Sequence, residues 1–214
     1  MQFETVDLGL VSFKEAEDIQ RQAFNVLSFA KEDLRPRLIF CRHYPVITLG
    51  RSASKINILV CDDELKKRGI SIHQAERGGN VTYHGPGQLI AYPVFDLKIW
   101  KKDIHLFLRK LEEAVINLMR QFAIPATRVS GLTGIWVEDK KISSIGIAIR
   151  HWIAFHGLSI NVKKDDLANF KLVRPCGLDV EMTSMEKELD TELDICDIKA
   201  CLTEQLNRVF SERG

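Results

Sequence analysis

Apolar residues recur at intervals of three and four in three stretches of the chain. Between 12 and 32, Phe13, Ala16, Ile19, Ala23, Val26, Leu27 and Ala30 fall on one helical face, and Ser12 followed by Glu15 has the form of a capping box. This spacing predicts an amphipathic helix over 12–32. A second helix is predicted from Asp103, with Ile104, Phe107, Leu108, Leu111, Val115, Leu118 and Phe122 on one stripe, ending before Pro125. A third is predicted from about Asp194 to the end, through Ile195, Ile198, Leu202, Leu206 and Val209.

Short segments rich in Val, Ile, Thr and aromatic residues lie between these helices, bounded by Gly, Pro, Asn and Asp. They predict strands at 37–42, 46–50, 71–76, 80–83 and 88–96, then at 126–130, 133–138, 141–150 and 152–162. Within the 141–150 segment, Ile145, Ile147 and Ile149 alternate with Gly146 and Ala148, as a half-buried strand requires. Glu138 to Lys140 reads as a hairpin loop. Runs of strands broken by single helices favour an α+β fold with a mixed, largely antiparallel sheet over strict βαβ alternation. No repeat or linker appears, so residues 1–214 are expected to form one domain. The weakly apolar segment 163–191 is expected to be loop with a short helix.

Composition narrows the function. The chain has 214 residues, 45% of them hydrophobic and 28% charged, enough for one continuous core. A net charge of +1 gives no global basic field, so no nucleic-acid partner is expected. The longest apolar runs, such as Leu38 to Cys41, are four residues, and no membrane span is expected. Residues Met1 to Leu10 have no Arg or Lys and no long apolar centre, which suggests no leader and a cytoplasmic location. Five cysteines, an odd number, fit a reducing compartment.

Neither G-x-G-x-x-G nor a P-loop occurs, and Cys and His never take C-x-x-C or H-x-x-x-H spacing, so no metal is expected. Cys196 and Cys201 fall on different helical faces and read as filler and surface thiol. The densest chemistry is Arg77-Gly78-Gly79-Asn80-Val81-Thr82-Tyr83-His84-Gly85-Pro86-Gly87-Gln88, where glycines let backbone N–H groups approach a ligand. A plain hairpin turn would need the same Gly and Pro, but Arg, Thr, Tyr and His around it favour a site. Lys141 begins an apolar alternation, although a lysine beside Lys140 at a turn is commonly solvated. Cys176 sits in Arg174-Pro175-Cys176-Gly177, outside any apolar stripe. A loop thiol near a lysine and Arg174 could be held as the thiolate that attacks thioesters. His84 and His156 each occur as aromatic-His-Gly and read as site-lining rather than as primary catalysts.

Taken together, Leu49-Gly50-Arg51, the 77–88 string, Lys141-Ile142-x-x-Ile145-Gly146, Phe155-His156-Gly157-Leu158 and Pro175-Cys176-Gly177 closely resemble the lipoyl(octanoyl) transferase family, also called lipoate-protein ligase B. The resemblance spans essentially the whole chain, the Thr183-Ser184-Met185 stretch included. It implies a fold shared with biotin protein ligases and lipoate ligases, and octanoyl transfer from acyl carrier protein to a lysine of a lipoyl domain without ATP or another cofactor. The implied acceptors are lipoyl domains of 2-oxoacid dehydrogenases and the glycine cleavage H protein, and a monomer is expected. The resemblance also implies Cys176 as nucleophile and Lys141 as the group that lowers its pKa and moves protons. It places acyl binding at Arg77, Gly78, Gly79, Asn80, Val81, Thr82, Tyr83 and His84, at Ser144, Ile145 and Gly146, and at Gly157, Leu158 and Ser159.

A thioester donor is already activated, so exchange onto a thiolate needs no nucleotide. The departure from the familiar pattern is Arg174 before Pro-Cys-Gly, which adds positive charge beside the thiol. Two other readings fit the same residues less well: an ATP-dependent lipoate or biotin ligase, for which Cys176 would be superfluous, and a non-catalytic binding module. Carrier partners with an acidic face lead to an expected basic patch, with Arg51, Arg77, Arg150 and Lys163 as candidates.

Overall fold

The structure, a computed structural model, describes residues 2–29, 35–174 and 180–211. In chain order the first elements are β1 (Glu4–Val11), α1 (Phe13–Phe29), β2 (Arg37–His43) and β3 (Val46–Leu49). Then come α2 (Asp62–Lys67), β4 (Ser71–Gln74), β5 (Val81–His84), β6 (Gln88–Asp96) and α3 (Ile104–Gln121). The rest are β7 (Ala126–Thr127), β8 (Ile135–Val137), β9 (Lys140–Arg150), β10 (Ile153–Asn161), α4 (Met185–Leu189) and α5 (Ile195–Ser211).

Strand β6 organises the layers because both of its faces are buried. Leu89, Ala91 and Phe95 pack with Phe107 and Leu111 of α3 and with Leu202 and Leu206 of α5. Ile90, Tyr92 and Val94 pack with Ala16, Ala23 and Leu27 of α1 on the opposite side. The period of two along the strand therefore separates two cores, with the sheet between one helix and a helix pair.

That sheet has the order β1-β2-β6-β10-β9-β8-β7, and a smaller one has the order β4-β3-β5. Among the described residues, the strand pairs β1–β2 and β3–β4 run parallel, each crossing over through a helix, α1 and α2 respectively. The remaining pairs are antiparallel. The expected α+β fold with a mixed, largely antiparallel sheet is borne out.

The local signals explain most boundaries. Ser12 Oγ accepts from Glu15 N at 3.1 Å and Asp103 Oδ1 accepts from Leu106 N at 2.9 Å, starting α1 and α3 where the sequence predicts. Helix α1 is described to Phe29, and the last residues of its expected span lie outside the described residues. Chain reversal between β9 and β10 uses His151 and Trp152, both at positive φ, the geometry of a two-residue hairpin turn.

Three expectations are corrected. The strand expected at 126–130 stops at Thr127, because the Arg128 guanidinium leaves the sheet edge to meet the buried Glu112 carboxylate at 2.9 Å. Strand β1, whose apolar alternation is short, was not anticipated. Nor was α2, which buries only Leu65 and rests on acids in its first turn and lysines in its last. Among the described residues no helix is long and apolar enough to cross a membrane.

Candidate active site

A cavity of about 490 Å³ gathers most of the residues singled out in the sequence. Its walls include Arg77, Gly78, Gly79, Asn80, Val81, Thr82 and His84 from the glycine-rich segment. Strand β9 supplies Lys141, Ser144, Ile145 and Gly146, and β10 supplies His156, Gly157, Leu158 and Ser159. Tyr83 is the exception. Strand alternation turns it to the other face of β5, where its hydroxyl meets Asp166 Oδ1 at 3.3 Å and accepts from Asn169 at 2.9 Å. Sequence reasoning also missed Phe13, Ile90, Tyr92, Leu108, Ile147 and the 131–133 loop as lining residues. Each of these apolar residues carried only the signal of a core position.

The glycine-rich segment is held rigidly. Arg77 is buried, its Nη2 donating to the Thr48 carbonyl and to Thr48 Oγ1, both at 2.8 Å. It is therefore unavailable as a docking residue. Gly78 N donates to Ile147 O at 2.8 Å, and Arg51 N donates to Arg77 O at 3.0 Å. A side chain at Gly50 would run into the Gly79 carbonyl oxygen, which accounts for the Leu49-Gly50-Arg51 motif. Of the other expected basic candidates, Arg51 and Arg150 are exposed, while Lys163 pairs with Glu186 at 2.8 Å.

Two histidines, His84 and His156, line the cavity, and others gather close behind. The Phe13 ring lies within 6.4 Å of the rings of His43, His73, His84 and His156. Among the described residues no group of three or more His, Cys, Asp or Glu could hold a metal ion. Burial pushes His84 and His156 down to about 3, with the Arg77 guanidinium adding to the effect, and pushes His43 down to about 4. His84 Nδ1 lies 2.9 Å from Gln88 Oε1, so that nitrogen carries the proton and Nε2 is left as an acceptor. His43 Nε2 lies 2.8 Å from the Tyr92 hydroxyl.

Lys141 is 6% exposed, not solvated. Its backbone is bracketed by the segment that follows Cys176: Lys141 N donates to Glu181 O at 2.8 Å, and Thr183 N donates to Lys141 O at 3.0 Å. Lys141 Nζ stands 5.3 Å from the centre of the Trp136 ring. On the other flank, Arg174 N donates to Asn57 O at 2.8 Å, and Asn57 Nδ2 donates to Asn80 Oδ1 at 3.0 Å. Cys176 itself lies outside the described residues. Of the remaining thiols, Cys41 is buried, Cys61 and Cys196 are exposed, and Cys201 is half-buried.

Residues 15–207 match the model of the lipoyl protein ligase A/B catalytic domain. The chain belongs to that family. It is 43% identical over 209 residues to an octanoyltransferase of Caldanaerobacter subterraneus subsp. tengcongensis, covering 97% of this chain and 90% of the relative. It is 39% identical to an octanoyltransferase of Cytophaga hutchinsonii, covering 95% and 91%. Among solved structures, a T. acidophilum lipoate protein ligase with bound lipoic acid aligns at a TM-score of 0.75 and 19% identity, covering 99% of this chain and 87% of that one. An Aquifex aeolicus biotin protein ligase in complex with biotin and ATP aligns at 0.56 and 12%, covering 97% and 70%. These two show the fold alone. The family, the shared fold and the activity expected from the sequence, an acyltransferase that moves octanoyl groups in protein lipoylation, are thereby borne out.

Proposed function

We propose that this family member works through an acyl-enzyme on Cys176, with octanoyl-acyl carrier protein as donor and the lysine of a lipoyl domain as acceptor. The observation that supports it best is the pair of anchors around Cys176. Arg174 is tied to the pocket edge through Asn57 and Asn80, and Glu181 and Thr183 are tied to Lys141. Lys141 lines the same pocket as the glycine-rich segment.

In this reading the Cys176 thiolate attacks the thioester carbonyl, the carrier's thiolate departs and takes a proton from the Lys141 ammonium, and the octanoyl group remains on Sγ. The acceptor amine then attacks that carbonyl, an amide forms, and the Cys176 thiolate is released. An amine with a reference pKa of about 10.4 must lose its protons to react, and Lys141 in its neutral form takes the one shed on attack. As an ammonium, Lys141 favours the Cys176 thiolate between turnovers. Backbone N–H groups of the glycine-rich stretches stabilise the oxyanion. No nucleotide enters, because the donor is already a thioester. The acceptors are the lipoyl domains of 2-oxoacid dehydrogenases and the glycine cleavage H protein, and the enzyme acts as a cytoplasmic monomer of one catalytic domain.

The test is octanoyl transfer to a lipoyl domain with octanoyl-acyl carrier protein and no ATP. The proposal expects transfer by the unaltered protein and its loss in Cys176→Ser and in Lys141→Ala. Transfer that requires ATP and free octanoate, and survives Cys176→Ser, would replace it with the ligase reading.

A further inference from the structure

Tyr83 and the glycines on either side of Pro86 share one partner, the Asp166 carboxylate. Its Oδ2 accepts from Gly87 N at 2.6 Å, and its Oδ1 accepts from the Tyr83 hydroxyl at 3.3 Å. The same hydroxyl accepts from Asn169 Nδ2 at 2.9 Å, so it both donates and accepts. A Cβ at Gly85 would fall 2.5 Å from Asp166 Oδ2, and one at Gly87 would fall 2.9 Å from the same atom. The carboxylate is therefore what requires glycine at both positions.

Asp166 belongs to the 3-10 helical stretch Asp165–Leu172, which lies on the far face of β5 from the cavity. Its Phe170 ring meets the Tyr83 ring edge-on, with centroids 5.5 Å apart, whereas Thr82 and His84 of the same strand line the cavity. Among the described residues, then, Asp166 touches the glycine-rich segment from behind rather than lining the cavity. The stretch it starts runs on to Arg174, two residues before Cys176. At that end Arg174 N is held by Asn57, whose side chain reaches Asn80. The chain entering Cys176 is thus fastened to the glycine-rich segment at two points, through Asp166 and through Asn57.

These ties bear on the chemistry. A displacement of about 1 Å between reacting groups can cost on the order of a hundredfold in rate, and a carboxylate accepts two charge-assisted bonds where an amide offers one acceptor oxygen. We infer that Asp166, acting through Tyr83 and Gly87, is a positioning residue that sets the chain entering Cys176 against the glycine-rich wall of the cavity. The inference rests on the reading of Cys176 given above. It also gives Tyr83, expected from the resemblance to bind the acyl group, a role on the reverse side of its strand.

The experiment compares Asp166→Asn, Tyr83→Phe and the double variant with the unaltered full-length protein. Tyr83→Phe keeps the ring on Phe170, so it stays informative if the other variants fold poorly. Octanoyl transfer from octanoyl-acyl carrier protein to a lipoyl domain should show kcat lowered about tenfold in each single variant, with KM for the donor within about twofold. The double variant should lose no more than the worse single one, because both remove the same bond. The rate at which iodoacetamide alkylates Cys176, followed by peptide mass against pH, should have its midpoint moved to higher pH in both single variants, as the thiol loses its place near the Lys141 ammonium. A purely structural role would lower the yield of folded protein and leave that midpoint where it was. An unchanged kcat, losses that multiply in the double variant, or an unmoved midpoint overturns the inference. Transfer that survives Cys176→Ser would instead overturn the acyl-enzyme reading, and the alkylation midpoint would still report whether Asp166 sets the place of that thiol.

Discussion

Thr183 donates its backbone N–H to the carbonyl of Lys141 at 3.0 Å, and Lys141 in turn donates to Glu181 at 2.8 Å. This short parallel bridge fixes the lysine against the segment that follows Cys176. Behind it runs a buried polar chain: Asn161 Nδ2 donates to Thr183 O at 2.9 Å, and Gln88 Nε2 donates to Asn161 Oδ1 at 2.8 Å. Gln88 Oε1 then accepts from His84, which lines the pocket.

Asn161→Ala breaks that chain in the middle, removes the side-chain partner of Thr183 O and leaves Gln88 Nε2 with only the longer bond to Tyr83 O at 3.4 Å. Denaturant unfolding should show a loss of about 3 kcal/mol. Steady-state kinetics should show kcat falling more than KM rises, since the lysine is displaced while the acyl pocket stays. A stability change below about half a kcal/mol would mean that the chain of bonds does not carry this strain.

Acid should destabilise the fold early. His43, His84 and His156 have pKa values pushed down to about 4, 3 and 3, so below the usual 6.5 the unfolded chain binds protons that the folded chain refuses. Stability is fully present above pH 6.5 and falls as pH drops toward 4, by about 1.4 kcal/mol per pH unit for each histidine. Urea midpoints measured between pH 7.5 and 5 should fall steeply, and each single His→Phe variant should flatten the slope. A midpoint that is constant over this range would contradict the burial of these rings.

Glu112 is a buried carboxylate that holds the loop over the pocket. It pairs with Arg109 at 2.6 Å and Arg128 at 2.9 Å, and its Oε1 accepts from Gly134 N at 3.4 Å. Glu112→Gln keeps the shape but weakens both charge-assisted bonds, with an expected cost of about 2 kcal/mol. Because Gly131, Leu132 and Thr133 line the pocket, KM for the acyl donor should rise while the pH profile of kcat is unchanged. An unaltered KM would show that the loop does not depend on this carboxylate.

The amphipathic helices and the hairpin strands were legible because their periods are local properties of the sequence, and the glycine-rich string was legible because so many special residues rarely cluster for shape alone. What escaped was what depends on distant partners. Lys141 looks solvated beside Lys140, and only the bridge to Glu181 and Thr183 buries it. Glu112 looks like one more acid on a charged helix face until Arg128 returns to it. Phe13 and Tyr92 read as core because a pocket wall and a core have the same apolar pattern. Tyr83 could have been assigned to the opposite face by strict alternation along β5. Strict alternation would have misplaced His156, whose left-handed backbone reverses the rule.

The central claim is the acyl-enzyme on Cys176, and the most direct measurement is the intact mass of the purified protein after incubation with octanoyl-acyl carrier protein, beside Cys176→Ser. The account predicts a gain of one octanoyl group in the unaltered protein, discharged on adding a lipoyl domain, and no gain in the variant. An unmodified protein that nevertheless transfers octanoyl groups, or an adduct that persists in Cys176→Ser, would contradict it.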